Sequence, residues 1–477
     1  MTGIALKVQR LRRRALSLGS VKAFDQALQF LLPVILVRCL DAATFGEYRL
    51  LWLVVGTVMA IVTLNMAQSL YYFLPRLEAP RRRLFVHQTF VYLGVAGVIF
   101  AALVSPWNPL LPDTVAPLHK YGGLVPVFLA LWVSAELLDV VPTAEERIRW
   151  QAWATVTVAL LRVALVGAGA WATGDLTVIL WLLIAIVCLK LLILAAYVRR
   201  HHGLGSPWAE RRAFAEHFRY AAPLGLAAAL YGLRKQADQW VAAALFPLAS
   251  FGAFSIAAML SPIVYVFKTS IIQALLPSMS RLEAAGDVRG MLEMNRRGNV
   301  LLAAALFPIL AFVFAFARDI VVFFFTDAYL DAVPVMRLYI VGFAALAIEV
   351  GSVIGLLRQG TYALLVNTVV LAFAVAVSWL AAGAVGLVGA AAGSVVAIYL
   401  DRVVTFRRVA RLTGSRFAEL QDWRGLAIAL GYAAVSAAVI WTSIRMISLE
   451  TPFARLAVGG IGLALAYVPI LVRWRNN

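Results

Sequence analysis

Charge is scarce in this sequence. Only 14% of its 477 residues are Asp, Glu, Lys or Arg, while 63% are hydrophobic. A soluble chain of this length could not cover its surface with so little charge, so the class is an integral membrane protein. Acid is scarcer still, with 24 Asp and Glu against 42 Lys and Arg and a formal net charge of +18. The excess does not point to nucleic acid, because the basic residues lie in short loops between apolar spans, where they set membrane orientation. The two cysteines, Cys39 and Cys188, both sit in apolar runs, which excludes a disulfide framework. A phosphate-cradling GxxxxGK loop followed by Ser or Thr is missing, and with it ATP hydrolysis by that route. The five histidines, His87, His119, His201, His202 and His217, show neither HExxH nor Cys/His metal spacing. External loops stay under about 20 residues, short for housing an enzymatic site. The expectation is a protein that is not an enzyme and holds neither cofactor nor metal.

What is present is a succession of apolar runs. With about 20 residues per crossing, the chain divides into about fourteen spans, near 20–40, 49–73, 84–105, 121–141, 151–173, 176–198, 219–246, 251–277, 299–325, 332–356, 361–382, 385–406, 424–445 and 454–473. Basic clusters mark alternate loops: Arg76 with Arg81, Arg82 and Arg83; Arg147 and Arg149; Arg199 and Arg200 with Arg211 and Arg212; Arg281 to Arg297; Arg358; Arg407, Arg408 and Arg411. The opposite loops offer little beyond Lys120, Arg318, Arg445 and Arg455. The asymmetry places the basic loops and both termini in the cytoplasm.

The chain also repeats itself. Ala43-Thr44-Phe45-Gly46-Glu47-Tyr48 follows the first span, and Ala249-Ser250-Phe251-Gly252-Ala253-Phe254 follows the seventh. Gly174 and Gly383 mark later turns, before spans that end in Arg199-Arg200 and Arg407-Arg408, at an offset near 206–209 residues. Leu74-Pro75 and Leu276-Pro277 are read as matching stops one span after the motif. Six spans separate the copies, an even number, so the two lobes are parallel repeats about an axis along the membrane normal, with a cavity between them. The expected organisation is a basic cytoplasmic N-terminus (1–19), a six-helix lobe (20–200), a basic linker (201–218), a second six-helix lobe (219–411) and two accessory helices with a cytoplasmic C-terminus (412–477).

The functional signal is the charge left inside the spans. Residues 220–254 carry Arg234, Lys235 and Asp238 near the middle of a membrane-length helix. Spacings of three and four put all three on one face. A charge at bilayer depth costs about 2.5–3.5 kcal/mol on insertion scales, which such a cluster meets by facing an aqueous cavity. One carboxylate neutralises one cation, so the face stays net positive and suits an anion. The alternative is a self-neutralised Arg234–Asp238 pair with Lys235 packed elsewhere. In span one, Lys22, Asp25 and Gln26 lie near one end and Arg38 near the other. Snorkelling accounts equally well for Lys22 and Arg38, and Lys22 can neutralise Asp25, but Asp25 is too short to snorkel. Glu136 and Asp139 share a face of span four, with Arg162 in span five. They form either a structural ion pair or a carboxylate site coupled to H+ or Na+. Lys190, Lys268 and Glu349 are single charges, interfacial or helix-linking. The cationic cavity set is therefore Arg234, Lys235, Arg38, Lys22, Arg162 and Lys268. The ion-coupling or charge-pairing set is Asp238, Asp25, Glu136, Asp139 and Glu349. Asn65, Gln68, Gln273 and Asn367 read as interhelical hydrogen bonds.

The opening two spans, with Arg38 followed by a Phe45-Gly46-Glu47-Tyr48 turn, resemble those of the polysaccharide-export (Wzx-type oligosaccharide) flippases of the multidrug/oligosaccharidyl-lipid/polysaccharide exporter superfamily. So does the seventh, with Pro223 and Asp238 before a Gly252-Ala253-Phe254 turn. The resemblance covers the twelve-helix repeat and contains no catalytic string. It implies a V of two lobes working by alternating access. The cargo would be undecaprenyl-pyrophosphate-linked oligosaccharide, carried to the periplasmic leaflet of a bacterial inner membrane for surface polysaccharide such as O-antigen, lipopolysaccharide or exopolysaccharide. Membrane lipids, a polymerase and chain-length proteins are the implied partners. The lipid II branch's arginine-rich segments after the first helix are missing. An ion-coupled multidrug or small-molecule exporter of the same superfamily is the alternative, although Arg234 and Lys235 disfavour organic cations.

Overall fold

The computed structural model describes residues 23–475 except 110, 204, 206 and 448. Lys22 and the basic segment 1–19 lie outside the described residues. The principal helices are α1 (23–39), α2 (Ala42–Val62), α3 (Ala79–Leu103), α4 (Leu124–Ala144), α5 (Ile148–Thr173), α6 (Leu176–His201) and α7 (Arg211–Leu245). They continue with α8 (Leu248–Ala284), α9 (Val288–Ala315), α10 (Ala332–Ala347), α11 (Gly360–Val385), α12 (Leu387–Thr413), α13 (Trp423–Met446) and α14 (Pro452–Arg475). Among the described residues, ten helices are long and apolar enough to cross a membrane, and Ala332–Ala347 and Pro452–Tyr467 are shorter apolar helices. Length and apolarity alone thus give fewer spans than the sequence suggests. The helix at the seventh place, α7, carries its charges along 35 residues.

The chain forms two compact units, Met1–Leu233 and Arg234–Asn477, and α7 carries the division. In unit 1 the principal pairings are α3 with α4, α4 with α6, and α5 with α6. In unit 2, α11 and α12 pair most extensively, and α9 packs on both α8 and α13.

Aspartates start several helices. The Asp41 carboxylate accepts from the backbone N–H groups of Ala43 and Thr44 at 2.9 and 3.0 Å, opening α2. Asp175, Asp287 and Asp422 cap α6, α9 and α13 in the same way. Each cap satisfies donors that a helix start leaves without partners. The start of α2 corrects the sequence reading, which put the Phe-Gly-x-aromatic motifs in turns. Phe45 to Tyr48 lie in the first turns of α2, and Phe251 to Phe254 in those of α8; all eight residues are buried. The turns proper are Leu40-Asp41 and Phe246-Pro247.

Two further markers shift. Pro277 lies inside α8, which continues to Ala284, so it is no stop. Gly383 lies inside α11, and Gly386, with φ +67°, makes the turn into α12. The α11–α12 contact itself rests on glycine. A Cβ on Gly389 would collide with the Ala381 carbonyl, and one on Gly393 with that of Ala374. Small residues four apart let helix backbones approach this closely, the packing that membrane helices favour.

Candidate functional site

The charges inside the helices of unit 2 join into one network. Lys235, on α7, places its ammonium 3.9 Å from the centroid of the Tyr265 ring on α8; Lys268, one turn along, lies 5.8 Å from the same centroid. Lys268 Nζ then meets Glu349 Oε2 at 2.6 Å, and Arg402 Nη1 of α12 approaches the same oxygen at 4.0 Å. Next to Arg402, Asp401 Oδ2 accepts from Arg234 Nη2 at 3.3 Å, while Arg234 Nη1 donates to Asn367 Oδ1 on α11 at 2.7 Å. The ion-paired side chains are largely removed from solvent, with relative exposures from 7 to 15%. Among the described residues, three ion-paired cations thus stand with two carboxylates, and Lys235 lies beside them over the Tyr265 ring. Arg402 Nε is buried and has no hydrogen-bond partner among the described residues.

Glu349 occupies the interruption after α10, before the short helix Gly351–Leu356. Its carbonyl oxygen accepts from the Asn295 and Asn299 side-chain amides at 3.0 and 2.9 Å. Its N–H donates to Asn299 Oδ1 at 3.1 Å, and Oε1 accepts from Ser352 N–H at 3.0 Å. Backbone freed by a break needs such partners at membrane depth, and they hold the carboxylate against Lys268.

Asp238 stands apart from this network. It is buried to 3% exposure, and Oδ2 accepts from the Tyr339 hydroxyl on α10 at 2.7 Å. The self-neutralised Arg234–Asp238 pair is therefore not formed. Arg234 reaches across to α11 and α12, whereas Asp238, one turn on, meets a neutral donor on α10.

Unit 1 has its own set of pairs. Asp25 Oδ1 lies 3.8 Å from Arg162 Nη2, with Gln29 Nε2 on Asp25 Oδ2 at 2.7 Å. Lys190 Nζ meets Asp139 Oδ2 at 2.6 Å and lies 5.5 Å from the Trp132 ring centroid. Glu136 accepts from Gln68 Nε2 at 2.5 Å at an interruption in α4, and its other oxygen is buried without a partner among the described residues. Among the described residues, these contacts bring Asp25, Asp139 and Glu136 together with Arg162 and Lys190. The expected link of Glu136 or Asp139 to Arg162 does not form, because α4 packs on α6, which brings Lys190 to Asp139. Arg38 lies thirteen residues beyond Asp25 on α1, about 20 Å along the axis; it is exposed and donates to the Val34 carbonyl at 2.8 Å.

Sequence reasoning missed Asp401, Arg402 and Tyr265. With the span ended at 406, Asp401 and Arg402 fell near its end and merged with the flanking basic cluster. The helix runs to Thr413, so they are interior. Gln68 and Asn367 do form the interhelical hydrogen bonds expected of them, each to a charged group.

Solved structures share the fold of this polytopic helical protein, whose two units each hold charged side chains within helices. The chain is similar to one described as the lipid II flippase MurJ in an inward closed conformation, with 12% identity, 96% of this chain and 99% of that one covered, and a TM-score of 0.71. It is also similar to an inward-facing multidrug resistance MATE family transporter of the MOP superfamily (13% identity, 82% and 96% covered, TM-score 0.65). A third likeness is to a point mutant of the Vibrio cholerae MATE transporter VcmN (14% identity, 86% and 98% covered, TM-score 0.55). No curated protein matches by sequence. The family model described as polysaccharide biosynthesis protein matches residues 11–283, more than half of the chain, and the protein belongs to that family.

Proposed function

We propose that the protein is a flippase that carries undecaprenyl-pyrophosphate-linked oligosaccharide repeat units from the cytoplasmic to the periplasmic leaflet of a bacterial inner membrane. Both termini are cytoplasmic in this reading, and the flipped units feed a surface polysaccharide polymerase and its chain-length partners. The observation that carries it is the cationic character of unit 2, where among the described residues Arg234, Lys268 and Arg402 stand with Asp401 and Glu349, and Lys235 lies over the Tyr265 ring. A pyrophosphate head group needs compensating charge once it leaves water, and guanidinium forks match phosphoryl oxygens. Membership of the polysaccharide biosynthesis family supports a glycan cargo. The carboxylates of unit 1, Glu136 foremost, are the groups through which H+ or Na+ would couple to transport.

The same carboxylates favour a second reading, an ion-coupled exporter of organic cations. Lipid-linked glycan analysis of a deletion strain separates the two. Loss of a flippase strands complete repeat units on the inner leaflet and lowers surface polysaccharide. An unchanged lipid-linked pool together with new sensitivity to cationic drugs would favour the exporter. Truncated repeat units would contradict both and indicate a glycosyltransferase.

A further inference from the structure

Three of the four cations in the loops read as external, Arg318, Arg445 and Arg455, converge on one cavity of unit 2, where Arg337 joins them. The cavity encloses about 740 Å³. Its walls are the C-terminal end of α9, the helix Ala317–Phe325 beyond it, the first turns of α10, and the facing ends of α13 and α14. All these ends lie on one side of the bundle, and none of the lining residues belongs to the mid-helix network.

Asp319 is the single acidic residue of the lining, against four guanidinium groups. It accepts from Arg455 Nε at 2.7 Å, and Arg455 Nη1 also donates to the Leu449 carbonyl at 3.0 Å. Arg337 Nε donates to the Phe314 carbonyl at 3.2 Å. These two arginines are built into the wall. Arg445 lies over the Trp441 ring at 4.2 Å, and Arg318 is exposed with no ion-pair partner among the described residues. Both present charge that the wall does not neutralise.

We infer that this cavity is a binding site for a phosphoryl group, carried by a lipid head group or by a small soluble phosphate. Four points support it. Every basic residue of the lining is Arg, whose planar fork bonds phosphoryl oxygens two at a time. The volume suits a head group rather than a lone ion. Helix ends with an indole among them mark the depth at which lipid phosphates lie. Finally, α13 and α14 lie outside the repeat, yet they supply Trp441, Arg445 and Arg455, which gives the accessory pair a task of its own.

The test uses the full-length protein in a phosphate-free maltoside detergent, titrated with dihexanoyl phosphatidylglycerol and, separately, with inorganic pyrophosphate. Tryptophan emission is read, and Trp441→Phe isolates the signal of the cavity. The expected result is a saturable change that disappears in Trp441→Phe. Its midpoint should weaken at least about tenfold in Arg318→Gln with Arg445→Gln, two charge-assisted contacts being lost. Saturation by the lipid alone assigns the site to a head group; saturation by both probes assigns it to the phosphoryl group whatever carries it. If the double variant does not fold, Arg318→Glu, exposed and outside the packing, must weaken binding by itself. No saturable change with either probe, or an unaltered midpoint in these variants, overturns the inference.

Discussion

At the scale of the residue, charges in apolar runs stand out in the sequence, but their partners do not. Arg234, Lys235, Lys268 and Glu349 were each visible as ionised groups at helical depth. Their pairing depends on helix rotation and depth, which sequence spacing does not encode. The i, i+4 rule offered Asp238 to Arg234 because local neighbours are all that spacing can show; the actual acid is Asp401, 167 residues away. The Lys268–Glu349 contact should matter for stability, since removing one member of a buried pair costs about 3–5 kcal/mol. Lys268→Met is expected to lower the thermal midpoint and membrane abundance, and Lys268→Met with Glu349→Gln to recover part of the loss, with Arg402 also deprived of its acid. A titrating contact lies outside the spans. Glu145, in the turn between α4 and α5, accepts from the Tyr197 hydroxyl and has Oε1 3.1 Å from His202 Nε2, with Arg147 at 3.7 Å. Burial raises its carboxyl, but the hydrogen bonds from His202 and Tyr197 and the charge of Arg147 outweigh it and hold it below the ordinary 4.5. A carboxyl depressed in the folded state stabilises above its unfolded value and loses that contribution as pH falls through the folded one. Melting curves of the purified protein should therefore show wild type above Glu145→Gln at neutral pH, with the gap closing below pH 4.5; a gap independent of pH would contradict the assignment.

At the scale of the element, apolar runs showed the all-helical class, while ten helices rather than fourteen are long and apolar enough to cross a membrane among the described residues, and further errors came from reading motifs as turns. Phe-Gly-x-aromatic looked like a turn because glycine usually punctuates. Here Gly46 and Gly252 are buried within helices, and the aspartate cap and the proline just before them make the turns. Pro277 failed as a stop for a related reason, because a proline in a membrane helix is tolerated where neighbouring groups satisfy the freed carbonyl. The glycines of α12 carry the clearest consequence for an element. Gly389 and Gly393 meet α11 backbone at distances no side chain could occupy. Gly393→Leu should separate α11 from α12, displace Asn367 from Arg234, and cut the yield of folded protein in detergent several-fold by size-exclusion chromatography. Gly431, with open space around its Cβ position, should accept alanine with little change.

At the scale of the whole molecule, the recurring motifs and basic clusters suggest a boundary at 201–218, whereas the two compact units divide at Leu233 and Arg234, within α7. The contrast between the two units was legible only in part. Among the described residues, unit 2 sets Arg234, Lys235, Lys268 and Arg402 with Asp401 and Glu349, whereas unit 1 sets Asp25, Asp139 and Glu136 with Arg162 and Lys190; Asp401 and Arg402, whose charges cancel, are the members that apolar patterning concealed. Under the proposed function, unit 2 receives the anionic head group and unit 1 responds to the coupling cation. The most direct test of this account is the leaflet distribution of lipid-linked repeat units in a deletion strain carrying Arg234→Gln with Asp401→Asn. Removing both members of a buried pair is far milder for folding than removing one, so membrane abundance should stay near that of wild type. The account predicts that complete repeat units nevertheless remain on the inner leaflet, because the head group has lost a guanidinium contact. Export restored to near wild-type levels in this double variant would contradict it.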